Sequence, residues 1–316
     1  MRRMLGLAVG ACLVLLVTTI ALRAYVGPYG FGVLLRHGGA YWFTVGTKSP
    51  RLSASMRLAL ADAPTATAGA FEWRTIGEGF DVGDLPVLAN NAAVDHIMLA
   101  RIDPARYRFS VRNAPAGDKD LDQWMTQLGA ALVVNGSYYS REARPDTPVL
   151  SEGTLLGPKD YDAKAGAFVA SSSFVGIRDL AELDWRTAFA GADNAMVSFP
   201  LLLANGTNRV RHVSQWLANR SFVGQDRAGR IIIGTTTEAF FSLDRLARFL
   251  IAAPLDLTLA LNLDGGPVAC QGIALNGYAR KTYGRWEARV EGDRVQLLTW
   301  PYGTVDMPLV LAAFPK

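Results

Sequence analysis

Ten short apolar and β-branched segments, punctuated by glycine, proline, asparagine and aspartate, constrain this chain more than any other feature. They fall at residues 73–82, 96–102, 107–112, 131–135, 167–170, 196–204, 220–225, 230–236, 255–263 and 295–299. Runs of this length and composition read as strands. Segments 220–225 and 230–236 are separated by Asp226-Arg227-Ala228-Gly229, a composition suited to a reversing turn. A helical period appears in few places. Residues 118–128 place Leu121, Trp124, Met125 and Leu128 on one face, and Gly129 supplies a stop. Residues 242–251 offer Ser242 as N-cap, Asp244 in the first turn, and Leu243, Leu246, Ala247 and Leu250 on one face. A shorter helix is expected at 53–61. The pattern predicts an α+β fold: a curved, mixed or antiparallel sheet core with a few covering helices.

The N-terminus reads differently. Residues 4–22 form a 19-residue stretch without a charge, preceded by Arg2 and Arg3. A transmembrane helix needs ~20 apolar residues, and a basic start places the N-terminus in the cytoplasm. Tyr25, Tyr29, Tyr41 and Trp42 are suited to the far interface. A cleaved signal peptide, with Thr19-Ile20-Ala21 as its small-residue site, is the alternative. Both readings export the rest of the chain, periplasmically in a Gram-negative cell, either membrane-anchored or secreted. The expected organisation is an anchor or signal peptide at 1–24, a juxtamembrane region and linker at 25–70, and the main domain at 71–316.

A net charge of +4 is spread along the chain without a basic block. Nucleic acid is therefore not an expected partner, while a mild positive field favours phosphates or acidic glycans. The two cysteines, Cys12 in the apolar run and Cys270, cannot pair if Cys12 lies in lipid. Cys270 has no acidic or histidine partner near it in sequence and reads as a small buried hydrophobe. The familiar nucleophile-elbow, zinc-helix, phosphate-loop and paired-cysteine motifs are absent. His37, His96 and His212 are too dispersed for a metal site, which leaves acid–base chemistry mostly to carboxylates. No cofactor is expected, and no ligand cluster supports a bound divalent cation.

Against that background, the run LTLALNLDGG is informative. A buried strand ends in Asn262, Asp264, Gly265 and Gly266, so an ionisable group on a rigid element stands beside backbone that a ligand can approach closely. The same residues also suit a plain strand-to-loop turn. Asn135-Gly136 ends another apolar run, either as a hairpin dipeptide or as an amide offered to a sugar or phosphate, with Tyr138 or Tyr139 stacking below. Asn205-Gly206 reads as a turn. Arg220 opens a strand, either as a surface cation or as a bidentate phosphate ligand.

Order adds what single motifs lack. The succession VVNGSYY, VLSEGTLLGP, FPLLLANG, RSFVGQDRAGRIIIGTT, a helix, then ALNLDGG resembles the phosphodiester glycosidase family across residues 97–314. The resemblance implies hydrolysis of a sugar-1-phosphodiester, here in an envelope glycan or glycolipid. It implies substrate contacts from Asn135, Gly136, Arg220, Asn262, Gly265 and Gly266. Arg220 would take the anionic phosphate, and Asp264 would act at the anomeric centre as nucleophile, base or stabiliser of an oxocarbenium-like state. For the second carboxylate, Glu152, Asp226 and Glu238 are candidates in that order. The chain departs from the pattern at Pro267-Val268-Ala269-Cys270, where the family carries a further glycine and small hydroxyl residues. That departure keeps a second reading open: a non-catalytic glycan-binding or polysaccharide-assembly factor on the same fold.

Overall fold

The computed structural model describes residues 10–21, 34–35, 41–61, 64–140, 142–162, 164–299 and 305–316. Every strand ladder among them is antiparallel, which resolves the mixed-or-antiparallel expectation. A large sheet runs through the strands Leu201–Ala204, Leu257–Asn262, Ser221–Asp226, Ile231–Thr236, Ala92–Ile102 and Phe80–Ala89 in that spatial order. A second sheet sets Leu132–Asn135 between Gln271–Leu275 and Leu309–Pro315. Leu132, Val134, Leu261, Leu263 and Leu311 share one buried cluster, so the two sheets close over a common core.

Two expected strands are each divided. Residues 196–204 split at Phe199-Pro200 into Asn194–Ser198 and Leu201–Ala204, which enter different sheets. Proline has no amide to continue the ladder. Residues 73–82 split into the hairpin strands Arg74–Gly77 and Phe80–Ala89, with Gly79 at φ 72° in the turn. The 196–204 stretch is apolar on both sides of its break apart from Ser198, so its composition alone did not mark the division.

The helices lie close to their expected places, at Ala54–Ala61, Leu121–Leu128 and Leu243–Ala252. Asp120 and Gln123 cap the second helix reciprocally, and Gly129 ends it in the left-handed conformation at φ 57°. Ser242 stands at the N-cap of the third, but its hydroxyl donates to Asp244 Oδ1 at 2.6 Å rather than serving the helix amides. Leu246, Ala247, Phe249 and Leu250 of this helix are buried against the large sheet.

Described residues between 41 and 61 are built into the fold. Tyr41–Gly46 pairs along its length with Arg294–Thr299, and Leu52, Met56 and Ala59 are buried with Leu85, Ile97 and Phe222. Residues 10–21 are helical, while the rest of the apolar 4–22 stretch and Tyr25 and Tyr29 lie outside the described residues. Among the described residues, no helix is long and apolar enough to cross a membrane.

Candidate active site

The chain passes from the large sheet into the second sheet between Asn262 and Gln271, and the candidate site is built at that crossing. Phe222 lies opposite Asn262 in the ladder, which sets Arg220, two residues earlier, beside the end of the Asp264 strand. The strand ending in Asn135 reaches the same place from the other sheet. Asp264 N donates to Gly136 O at 3.0 Å, and Asn135 Nδ2 donates to Asp264 O at 2.8 Å.

Asn135 is 2% exposed, and its carbonyl oxygen accepts from Cys270 N at 3.3 Å. Its amide is therefore spent on clamping two strand ends, not offered to a ligand. Gly136 is required by packing, because a Cβ there would stand 2.7 Å from Leu309 Cγ. Asn262 is fully buried, and its Nδ2 faces the Tyr138 hydroxyl at 2.7 Å, Phe199 O at 3.1 Å and Leu263 O at 2.6 Å. Both asparagines hold the site's frame.

Asp264 keeps part of its surface and accepts from Gly265 N at 2.8 Å. Burial of the carboxyl, with the negative field of Glu287 next, raises its pKa to about 8, against the Gly265 hydrogen bond and the Arg220 charge. Near neutral pH it is thus mostly a neutral acid. Arg220 is 5% exposed, with Nε donating to Phe241 O at 3.3 Å and Nη2 to Trp216 O at 2.9 Å. Two edges of the guanidinium are fixed to carbonyls, while Nη1 is turned to Gly265. Burial lowers the Arg220 pKa, opposed by the negative field of its neighbours Tyr138, Glu287 and Asp264.

The paired glycines have separate geometric reasons. A Cβ on Gly265 would stand 3.2 Å from Arg220 Nη1, and one on Gly266 would stand 2.9 Å from Glu287 Oε2. Gly266 also sits at φ 72°, where a side chain is strained. The two glycines let a cation and a second carboxylate close on the backbone beside Asp264. Glu287 is carried by the strand Trp286–Glu291, opposite Ala218.

Buried Asn219 fixes this arrangement. Its Oδ1 accepts from Arg285 N and Trp286 N at 2.9 Å each, and its main-chain oxygen accepts from Gly266 N at 2.9 Å. One side chain and its own carbonyl thereby join the Arg220, Gly266 and Glu287 segments. Sequence reasoning missed both Asn219 and Glu287. In WEARVE the glutamate reads as an ordinary outward residue of an alternating strand, and Asn219 carries no local signal beyond standing next to Arg220.

Of the carboxylates expected to complete the site, Glu152 and Asp226 are bonded elsewhere, while Glu238 stands in a loop next to Arg220. Glu152 accepts from Ser110 Oγ at 2.7 Å, is paired with Arg112 at 3.3 Å, and sits beside Asn194. Asn194 begins the strand whose other end, Ser198, leads to Asn262; four strand residues span about 13 Å. Asp226 is buried and bonded to Arg230 at 2.7 Å, closing its turn. Glu238 N donates to the buried Asp95 at 2.8 Å, and its main-chain oxygen accepts from the Thr236 hydroxyl, which in turn accepts from Arg220 N, so its loop adjoins the Arg220 end of the ladder. The carboxylates whose negative fields weigh most on Asp264 are Glu287 and, after it, Asp146.

Pro267, Val268, Ala269 and Cys270 are all buried, the first two in a short 3-10 turn. Burial pushes the Cys270 thiol up to about 12, so it is no nucleophile near neutral pH. His96 pairs with Asp84 at 2.8 Å on an exposed strand, and His37 lies outside the described residues. Among the described residues, no group of three or more His, Cys, Asp or Glu is placed to hold a metal ion.

Residues 128–270 match the phosphodiester glycosidase family. The matched span contains Asn135, Gly136, Arg220 and Asn262 to Gly266, the residues on which the resemblance rested. Glu287 lies beyond it. A Synechocystis protein of solved structure superposes with a TM-score of 0.53 at 16% identity, covering 79% of this chain and 64% of its own. This chain therefore spans less than two-thirds of that protein. The zebrafish N-acetylglucosamine-1-phosphodiester alpha-N-acetylglucosaminidase catalytic domain, auto-inhibited by its pro-peptide, superposes with a TM-score of 0.50 at 16% identity, covering 89% of this chain and 90% of that one. At these identities the likeness is one of fold. No curated protein sequence matches the chain.

Proposed function

We propose that this protein hydrolyses a sugar-1-phosphodiester in an envelope glycan or glycolipid, releasing the sugar and leaving a phosphomonoester. The observation that carries the reading is the meeting of Asp264, Arg220 and Glu287 around Gly265-Gly266. Glycosidases divide acid and base work between two carboxylates whose surroundings push their protonation states apart. Asp264, neutral near pH 7, donates a proton to the departing phosphate oxygen. Glu287 supplies the negative charge that favours an oxocarbenium-like anomeric centre. Arg220, buried and anchored at two of its nitrogens, turns Nη1 toward the phosphate. The match to the family across the Arg220 and Asp264 segments supports this assignment, as does the shared fold of the zebrafish phosphodiester glycosidase.

The uncharged 19-residue stretch after Arg2-Arg3 supports membrane anchoring with an extracytoplasmic main domain. Alkaline extraction of membranes tests this: an anchored chain stays in the pellet, and a released one enters the supernatant.

A second reading, a glycan-binding factor without turnover, is favoured by one observation. Pro267, Val268 and Ala269 offer no hydroxyl where the family carries small hydroxyl residues. Release of sugar and phosphomonoester from a panel of sugar-1-phosphodiesters by the full-length protein separates the two. Turnover supports the enzyme, and glycan binding without turnover supports the binding factor.

A further inference from the structure

Phe199 is 40% exposed, and no other Phe, Tyr or Trp whose side chain is described is as open to solvent. An exposed aromatic ring is unremarked in a loop that moves, but this one is backed by a second ring and its main chain is hydrogen-bonded. Its ring stacks on Tyr138, with centroids 4.2 Å apart and planes 16° from parallel. The Tyr138 hydroxyl is held at 2.7 Å by Asn262 Nδ2, and the same nitrogen reaches Phe199 O at 3.1 Å. Asn262 N in turn donates to the carbonyl of Pro200, the next residue, at 3.1 Å. One buried asparagine, two residues before Asp264, thus fixes both rings of the stack.

The stack belongs to the site. The Tyr138 hydroxyl lies within the electrostatic reach of Asp264, Arg220 and Glu287 together. Phe199 covers one face of the ring of Tyr138, which the sequence offered with Tyr139 as a stacking surface. Of the two stacked rings, Phe199 is the more exposed.

A flat apolar face stacked on Tyr138, whose hydroxyl lies in the field of a cation and two carboxylates, fits a ligand with an apolar C–H face and an adjoining anion. A pyranose ring bearing a 1-phosphate has that form, since its axial C–H groups pack on an aromatic face while its hydroxyls point sideways to water. Ordering costs are low because the platform does not move on binding.

We propose that the outer face of Phe199 is a sugar-stacking subsite that positions the pyranose of a sugar-1-phosphodiester against Asp264. The proposal rests on the reading of this site as one for sugar phosphates, and it concerns binding, so it is tested apart from turnover.

The test is titration of the full-length protein with two probes, a hexose 1-phosphate and methyl phosphate, followed by calorimetry or saturation-transfer NMR. Both carry the anion; the first alone carries the ring. Phe199→Ala is expected to weaken the hexose 1-phosphate roughly tenfold and to leave methyl phosphate unchanged, with Phe199→Trp retaining wild-type binding of both. Phe199 is exposed, and an unchanged circular dichroism melt of both variants keeps the comparison valid. Equal weakening of the two probes assigns Phe199 a structural role and overturns the subsite. So does unchanged binding of the hexose 1-phosphate in Phe199→Ala, or a wild-type protein that binds no hexose 1-phosphate. A protein that binds the sugar phosphate through Phe199 yet cleaves no phosphodiester retains the subsite and loses only the hydrolytic reading.

Discussion

Asn135 Nδ2 donates a 2.8 Å hydrogen bond to the main-chain carbonyl of Asp264, joining the central strand of one sheet to a strand end of another. The bond explains why an Asn-Gly pair stands at this strand end without forming a hairpin. Asn135→Ala leaves the Asp264 carbonyl and the Cys270 amide without their side-chain partner in a buried place. The expected cost is about 1–3 kcal/mol of stability, read from urea or guanidinium unfolding. Activity should fall with it, since the frame of Asp264 loosens. A variant of wild-type stability would remove the clamp from this account.

Gly266→Ala should be worse than Gly265→Ala. Both crowd a charged side chain, but only Gly266 also holds a left-handed backbone at φ 72°. The alanine at 266 is expected to destabilise by roughly 1–3 kcal/mol and to displace Glu287. Thermal melts compared with turnover of the two variants provide the check, and equal stability of the pair would contradict the assignment.

The Asp264 carboxyl sets a pH dependence whose sign follows from its raised value. An aspartate in an unfolded chain titrates near 4, whereas here it titrates at about 8. The folded state therefore holds a proton that the unfolded state has released over the window between them. Its contribution to stability is fully present below about pH 4 and is lost as pH rises through about 8. Unfolding free energies of wild type and Asp264→Asn, measured from pH 4 to 9, should diverge in favour of the variant as pH rises. A difference that stays constant over that range contradicts the raised pKa. Because the neutral acid is the working form, turnover should also decline as pH passes through about 8.

Glu152→Gln is the contrasting case. Its partners are Ser110, Arg112 and Asn194, at the far end of the strand that leads to the site. Turnover is expected to stay within about twofold of wild type, with a stability change of about 1 kcal/mol or less. A large loss of turnover with intact folding would return Glu152 to the chemistry.

What the sequence made legible follows from where each signal resides. Strand and helix identities come from local periodicity and capping, and Asp120, Gly129 and the Asp226–Gly229 turn behave as their types predict. Asn262, Asp264, Arg220 and their glycines were legible because an unusual residue sits at an abrupt change of pattern. Glu287 was not legible, since its role comes from a strand pairing with Ala218 that joins residues 69 apart in the chain. The core role of Leu52, Met56 and Ala59 was hidden for a related reason. A Pro/Thr/Ala-rich stretch follows them and reads locally as a linker, while long-range packing decides otherwise. Asn135 and Asn262 stand beside Asp264, but composition could not reveal that the Asn135 amide and the Asn262 Nδ2 are bonded within the frame.

The central claim, that Asp264 and Glu287 act as a carboxylate pair beside Arg220, is tested most directly by single-turnover hydrolysis of a sugar-1-phosphodiester by the full-length protein and by Glu287→Gln. Gln keeps the shape over Gly266 and removes the charge. The account predicts a loss of about a hundredfold or more with unchanged melting, and a fall in the Asp264 pKa from about 8 as the negative neighbour disappears. Turnover of Glu287→Gln within about twofold of wild type, with the pH profile unmoved, would contradict it.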